Sequence, residues 1–168
     1  KHDIRITIKL ARLPNIIGDP GQLSQAFINI ILNAIQSMEN GGELTVKTDI
    51  GEVIRLGEAI AAGAVRREAS QREMVWGVVE KVSYQFPPAH HTPVIFVEVT
   101  DTGPGIPENT LKNIFDPFYT TKAKGTGMGL PITLRIIEEH QGSVKVKSAE
   151  GKGTTFIITL PQDLQQKP

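Results

Sequence analysis

Apolar and polar positions alternate along residues 4 to 10, where Ile4, Ile6, Ile8 and Leu10 are separated by Arg5, Thr7 and Lys9. A period of two predicts a half-buried strand. A second short strand is expected over residues 15 to 17, behind Pro14. Asp19-Pro20 then opens a helix, with Asp19 as N-cap, Pro20 at the first helical position and Gln22 three residues on, the spacing of a capping box. That helix is expected to run to about Met38 and to stop at Asn40-Gly41-Gly42, after which Leu44, Val46, Thr48 and Ile50 alternate as a strand. Residues 51 to 93 carry no single period: 58 to 72 have helical composition, 74 to 86 read as a strand, and no element is assigned. From Val94 the pattern V-I-F-V-E-V-T is a buried strand that ends in the turn Asp101-Thr102-Gly103-Pro104-Gly105. A short helix follows Pro107, and a long Gly-, Thr-, Lys- and Pro-rich loop spans 116 to 129. A helix over 130 to 140 and two strands, 143 to 148 and 154 to 160, close the chain, with the tail from Gln162 expected to fray. The order of elements predicts an α+β fold: a two-layer sandwich of a mixed, mostly antiparallel sheet with helices on one face.

Composition narrows the function. The chain has 168 residues and a mass of 18.3 kDa, the size of a single domain over 1–168, with an unusual insertion around 51–93 and a frayed tail at 162–168. Its 18 Lys+Arg balance 18 Asp+Glu, so no net field holds it on nucleic acid or an anionic membrane. It has no cysteine, which excludes a disulfide scaffold, thiolate-bound zinc and a thiol nucleophile. No apolar run reaches the roughly 18 residues of a membrane span. A first residue of Lys1 reads as a piece of a longer protein.

Three segments carry candidate chemistry. In the first helix the polar residues are mostly amides, and at about 100° per residue Gln22, Gln25, Asn29, Asn33 and Gln36 fall on one stripe. The rest of that helix is so apolar that it reads as buried. Asn is a poor helix former, so two of them one turn apart suggest a requirement beyond helicity. An amide oxygen is a hard neutral ligand suited to Mg²⁺ that shares its shell with water and phosphates, although a solvated or internally satisfied stripe fits equally well. Asp101, at a strand end before two glycines, could accept hydrogen bonds from the exocyclic amine of adenine; alone, D-x-G-x-G is more commonly an Asx turn. Gly125-Thr126-Gly127-Met128-Gly129 runs into a helix, where successive N–H groups can form an anion nest, and a plain surface loop is the alternative. There is no G-x-x-x-x-G-K-[ST], so a P-loop is excluded. Amides for a metal, a carboxylate for a base and a glycine nest with Lys122 for phosphates agree on one ligand.

In order, Q-A-F-I-N-I-I-L-N-A-I (25 to 35), D-T-G-P-G-I-P (101 to 107), F-D-P-F-Y-T-T-K (115 to 122) and G-T-G-M-G-L (125 to 130) resemble the N, G1, F and G2 boxes of the sensor histidine kinase ATP-binding domain. This domain belongs to the wider class that includes gyrase and Hsp90, and the N-box and F-box style is similar to nitrogen-regulation-type kinases. The closing G-K-G-T-T-F (151 to 156) is similar to the family's last glycine turn. The resemblance implies a Bergerat-type sandwich that binds ATP under a mobile lid, with Mg²⁺ held through Asn33. Asn29 would support the phosphate side and Asp101 would read adenine, with Gly103 and Gly105 as the base-side turn. Gly125, Gly127 and Gly129 would be the lid hinge and phosphate nest; Ile106, Thr126, Met128, Leu130 and Thr154 complete the nucleotide-facing set. Phe115 and Phe118 would anchor the lid. Many relatives carry Lys where Gln36 stands, which would shift phosphate contacts to Lys122.

The resemblance also bears on the reaction. Hydrolysing relatives carry a Glu at the position of Asn29, and an amide cannot take a proton at neutral pH, so the chain resembles the kinases. The implied activity is protein-histidine kinase: Asn29, Asn33 and Lys122 would align the γ-phosphoryl group for transfer to a histidine on a separate helical dimerisation domain, then to a response regulator receiver domain. His2, His90, His91 and His140 lack the sequence context of that acceptor, and His140 reads as a structural residue at a helix C-terminus. The full-length protein would be a cytoplasmic or membrane-anchored homodimer. A gyrase- or Hsp90-type hydrolase and a non-catalytic nucleotide-dependent docking module are the alternatives.

Overall fold

The computed structural model describes residues 3–53, 77–82, 92–122 and 125–162. Among these, six strands form one sheet. They are β1 (Ile4–Lys9), β2 (Gly42–Val53), β3 (Gly77–Val82), β4 (Thr92–Asp101), β5 (Ser143–Ser148) and β6 (Thr154–Pro161), in the spatial order β1-β2-β4-β6-β5-β3. β1 runs parallel to β2 and every other neighbouring pair is antiparallel, the mixed, mostly antiparallel sheet expected. The helices are α1 (Pro20–Ser37), the one-turn α2 (Glu108–Leu111) and α3 (Gly129–Glu139).

The sheet and the two long helices share one core. On central strand β4 the alternate residues Ile95, Val97 and Val99 are buried, and on β5 and β6 so are Val144, Val146, Phe156 and Ile158. α1 contributes Leu23, Ala26, Ile30 and Ala34, spaced by three and four so that they share one face; α3 contributes Thr133, Ile136 and Ile137. Fully burying one Leu or Ile is worth about 1.5–3 kcal/mol, which exceeds the roughly half a kcal/mol that each Asn costs in a helix. The core face therefore holds α1, leaving its flank free to carry amides.

Several expectations change. Residues 15 to 17 form no strand: pairing of β1 ends where the Ala11 N–H donates to the Thr48 hydroxyl (2.9 Å), and beyond it only Ile16 turns in towards the core. α1 is half-buried rather than enclosed, since Ile28 and Leu32 on its outer side are 54% and 46% exposed. The stretch 51–93 is not all insertion, because its ends complete β2 and β4 and its middle supplies β3, which extends the sheet beyond β5. The helical reading of 58 to 72 lies outside the described residues, as does the tail from 163. Gln162 is held by its N–H to the Pro93 carbonyl (3.1 Å).

The ends of the helices are set locally. The Asp19 carboxylate accepts from the N–H groups of Gly21 (2.7 Å) and Gln22 (3.0 Å), as an N-cap should. The reciprocal half of a capping box is absent; the Asp19 N–H donates instead to Nε2 of His140, 2.9 Å away. α3 ends in a Schellman motif: the Gly142 N–H bonds to the Ile137 carbonyl (2.8 Å) and the Gln141 N–H to that of Glu138 (2.9 Å). The left-handed position falls on Gln141, at φ 57°, while Gly142 packs where a side chain would strike the Thr159 carbonyl.

A non-glycine residue in the left-handed region costs about 1–2 kcal/mol, of which glycine's extra freedom in the unfolded chain returns a part. Gln141→Gly is expected to stabilise the fold by about 1 kcal/mol, seen as a rise of roughly 2–4 °C in thermal midpoint. An unchanged or lower midpoint would show that the Gln141 side chain offsets its backbone strain.

Candidate functional site

The amide stripe of α1 meets the start of α3. Asn29 donates through Nδ2 to the Gly129 carbonyl (3.3 Å) and, more weakly, to the Thr133 hydroxyl (3.5 Å). The loop-to-helix junction at Gly129 runs close to both Asn29 and Asn33. One turn beyond Asn29, the Asn33 Oδ1 accepts from the ammonium of Lys122 at 3.0 Å, and the Gln36 Oε1 accepts from the same group at 2.9 Å. Part-burial pushes the Lys122 pKa down from its ordinary value, because the charged form loses water. The site thus gathers Asn29, Asn33, Gln36, Lys122 and Gly129 from three stretches of sequence. Gln36 belongs to the predicted stripe, but its role as a lysine acceptor was not read from it.

The second part lies at the carboxyl end of β4. Asp101 is 5% exposed, and its Oδ1 accepts from the Gly103 N–H at 2.9 Å. Desolvation by burial pushes its pKa up, partly countered by hydrogen bonds from the backbone of Gly103 and Thr154. The register sets Asp101 opposite Leu44 on β2 and Thr154 on β6, so both neighbouring strands fix its position. Gly105 and Gly153, at φ 72° and 84°, let the Gly103-Pro104-Gly105 turn and the β5–β6 turn lie against each other and against the Asp101 backbone. Ser148 joins these turns: its hydroxyl accepts from the Ile106 N–H (2.8 Å), donates to the Gly153 carbonyl (2.9 Å) and lies 3.0 Å from the Thr154 hydroxyl. Ser148 was not singled out in the sequence; the nearest clue is its place two residues before the Glu150-Gly151 turn. Ile106 and Leu130 are partly buried against the core.

The third part is the loop that precedes α3. Phe115 is buried and anchors the start of this loop. Phe118 does not anchor it as expected: its ring is 75% exposed and its backbone is left-handed at φ 66°, a conformation held by its N–H bond to the Gly127 carbonyl (3.1 Å). Gly127, itself at φ 66°, crosses so near the Phe118 backbone that a side chain there would overlap it. Gly125 and Thr126 are exposed, and residues 123 and 124 lie outside the described set. Met128 precedes α3 without a side-chain cap. Pro131 has no N–H and Ile132 donates to the Met128 carbonyl, so Gly129 and Leu130 supply the N–H groups of the first turn. Such a helix end suits an anion.

The electrostatic layout runs from a desolvated carboxylate at Asp101 through neutral amides to a lysine ammonium and uncapped helix N–H groups. The polar contacts that α1 makes to α3 and Lys122 through its side chains come from amides, which accept or donate hydrogen bonds but take no proton. No cluster of three or more His, Cys, Asp or Glu residues able to hold a metal occurs among the described residues, so a cation here would rest on amide and ligand oxygens.

Comparison with known proteins identifies the family of the chain. The profile described as "Histidine kinase-, DNA gyrase B-, and HSP90-like ATPase" matches residues 18–164. Sporulation kinase C of Bacillus subtilis (strain 168) is 38% identical over 146 residues, which cover 87% of this chain and 25% of the kinase. Among solved structures, the catalytic domain of the histidine kinase ThkA superposes with a TM-score of 0.60 at 26% identity, covering 95% of this chain and 79% of that one. Full-length ShkA, solved in complex with AMPPNP, superposes with a TM-score of 0.61 at 23% identity over 94% of this chain and 25% of its own. The chain thus spans about a quarter of the curated kinase it matches. It belongs to the histidine kinase-, DNA gyrase B- and HSP90-like ATPase family, as an ATP-binding catalytic domain of the sensor histidine kinase type.

Proposed function

We propose that this domain binds ATP with Mg²⁺ and presents the γ-phosphoryl group to a histidine on a separate helical dimerisation domain of the same homodimeric kinase, from which it passes to a response regulator receiver domain. The observation that carries this reading is the convergence of Asn29, Asn33, Lys122 and Gly129 beside uncapped helix N–H groups, on the same helix-covered face as a buried carboxylate. Asp101 accepts from the adenine amine, with Gly103, Gly105, Ile106 and Thr154 shaping the base side. Gly125, Thr126, Gly127, Met128, Gly129 and Leu130 meet the phosphates. ShkA, solved with an ATP analogue, is a fold-level parallel. Balanced charge fits protein and nucleotide partners rather than nucleic acid or a membrane surface. No described helix is long and apolar enough to cross a membrane, and ATP as substrate puts the domain's work in the cytoplasm.

The Asn33 Oδ1 is an uncharged oxygen of the kind that ligates a hard cation, and it already faces positive charge, accepting from the Lys122 ammonium. When bound there with ATP, Mg²⁺ neutralises charge on the phosphates. Lys122 is within reach to leave the amides for a phosphate oxygen, and the α3 N–H groups orient the remaining oxygens. Asn29 is committed as a donor to Gly129 and Thr133 and offers no base for an attacking water. This favours transfer to an external nucleophile over hydrolysis.

Two measurements test the site. Calorimetry should show adenine-selective, Mg²⁺-strengthened binding of ATP, reduced about 100-fold or more by Asp101→Ala, as expected where a buried polar group reads the ligand. GTP binding as tight as ATP would rule out this base-side assignment. Asn33→Ala should erase most of the gain from Mg²⁺ while leaving metal-free binding nearly intact; equal losses with and without metal would remove its role as ligand.

The pH dependence of Asp101 has opposite signs for ligand and fold. Adenine needs the ionised acceptor, so ATP affinity should fall on acidification with a midpoint above the ordinary Asp value. A carboxyl whose folded pKa is raised favours the fold most below its unfolded pKa, and that contribution is lost as pH rises through the folded pKa. Removing the carboxyl in Asp101→Ala should therefore abolish the acid loss of affinity. A wild-type binding curve flat through this range would count against Asp101 as the adenine acceptor.

A further inference from the structure

α1 and α3 lie antiparallel, and they touch through polar groups at two places. One is the contact of Asn29 with Gly129 and Thr133. The other is at the opposite end of the pair, where His140, at the C-cap of α3, meets the N-cap of α1. The Asp19 N–H is only a donor, so the His140 Nε2 that it reaches at 2.9 Å must be the acceptor. Nδ1 therefore carries the proton and donates it to the Ile136 carbonyl, 2.7 Å away, one turn back on α3. The ring is held at both nitrogens, Nε2 at the N-cap of α1 and Nδ1 within α3. Gly18 shows the same closeness independently: a side chain there would press on the imidazole, whose Cδ2 and Nε2 lie 2.5 and 2.9 Å from the position of its first carbon.

We propose that His140 is a positioning residue for the nucleotide site, tying the start of α1 to the end of α3 so that the amides of α1 and the N-terminus of α3 keep their mutual setting. The proposal rests on the nucleotide-binding role given above. Asn29 lies ten residues beyond Asp19, about 15 Å along the helix, and the first turn of α3 lies about as far from His140. With the far end loose, a tilt of about 5° between the helices shifts these groups by about 1 Å, a misplacement large enough to matter for a phosphate held by hydrogen bonds. Asp101 stands on the sheet, between β2 and β6, and does not depend on this tie. The effect therefore falls on the phosphate side of the ligand and spares the base side. A residue that only caps α3 would act through the Ile136 carbonyl and the helix end, with no such division.

Two substitutions separate the nitrogens. Gln at position 140 can place its carbonyl oxygen near Nε2 and keep the bond from Asp19; Asn can reach only the Nδ1 position and keep the Ile136 bond. Binding of adenosine and of Mg·ATP to this chain would be measured by NMR titration and calorimetry, with thermal midpoints as the control for folding. His140→Asn should lower Mg·ATP affinity about tenfold, the scale of losing a supporting hydrogen bond behind a ligand site, with adenosine affinity unchanged. His140→Gln should stay within about threefold of wild type. If His140→Asn does not fold, Gly18→Ala, which displaces the ring without altering it, should give the same selective loss. Wild-type affinity for Mg·ATP in the folded Asn variant, or parallel losses of adenosine and Mg·ATP, would overturn the proposal. Failure of the wild type to bind either ligand would instead overturn the nucleotide reading on which it rests.

Discussion

A carboxylate taken out of water must be paid for by donors, and this requirement organises one side of the molecule. Asp101 is almost fully buried at the end of the central strand, and the groups that hold it are backbone N–H groups from Gly103 and Thr154 rather than a cation. Backbone donors can approach a strand end from both sides only if the turns that carry them have no obstructing side chains. Gly103, Gly105 and Gly153 meet that condition, and Ser148 ties the two turns together. The burial that raises the Asp101 pKa also keeps water from competing with a ligand, so the local cost and the local selectivity have the same origin.

The other side depends on a pair of helices rather than on the sheet. α1 is fixed to the core by Leu23, Ala26, Ile30 and Ala34, and this apolar anchorage sets its depth but says little about its angle to α3. Directional bonds supply the angle: Asn29 to Gly129 near one end and Asp19 to His140 at the other. Hydrophobic packing thus places the helix, and a few hydrogen bonds orient it. Loss of one such bond need not unfold the domain, since the core residues remain, and this is why binding and stability can respond separately.

Much of the fold was legible because it is local. The alternation in β4, β5 and β6, the Asp19-Pro20 start of α1 and the glycine turns each declare themselves within about ten residues, and the structure keeps them with small shifts of boundary. The candidate site residues stood out as ordered motifs, and the packing of α1 against the start of α3 brings Asn29, Asn33, Lys122 and Gly129 together. What could not be read depends on distant partners. His140 looked like an ordinary helix end because its acceptor role requires Asp19, 121 positions away. The strand character of 74 to 86 was legible and β3 falls within it, but its place beside β5 at the edge of the sheet was not, because β5 lies far along the chain. Residues 15 to 17 read as a short strand and form none, so tertiary context outweighed local pattern. The resemblance of the F box implied that Phe118 anchors the lid, yet Phe118 is left-handed beside Gly127 and exposed.

The chemistry of the amide stripe follows from what a neutral oxygen can do that a carboxylate cannot. Lys122 donates to Asn33 and Gln36, two uncharged acceptors, so the contact is a pair of ordinary charge-to-dipole hydrogen bonds. A carboxylate at either position would hold the ammonium as an ion pair, with a stronger bond and a negative charge facing any incoming phosphate. Amides satisfy the lysine without that repulsion, and they release it at smaller cost. The same reasoning applies to Asn29, whose donor contact with Gly129 would be lost to a carboxylate. An uncharged stripe beside the Lys122 ammonium and open N–H groups therefore leaves a positive balance near the start of α3, and among the described residues the buried carboxylate stays on β4, where an adenine amine would meet it.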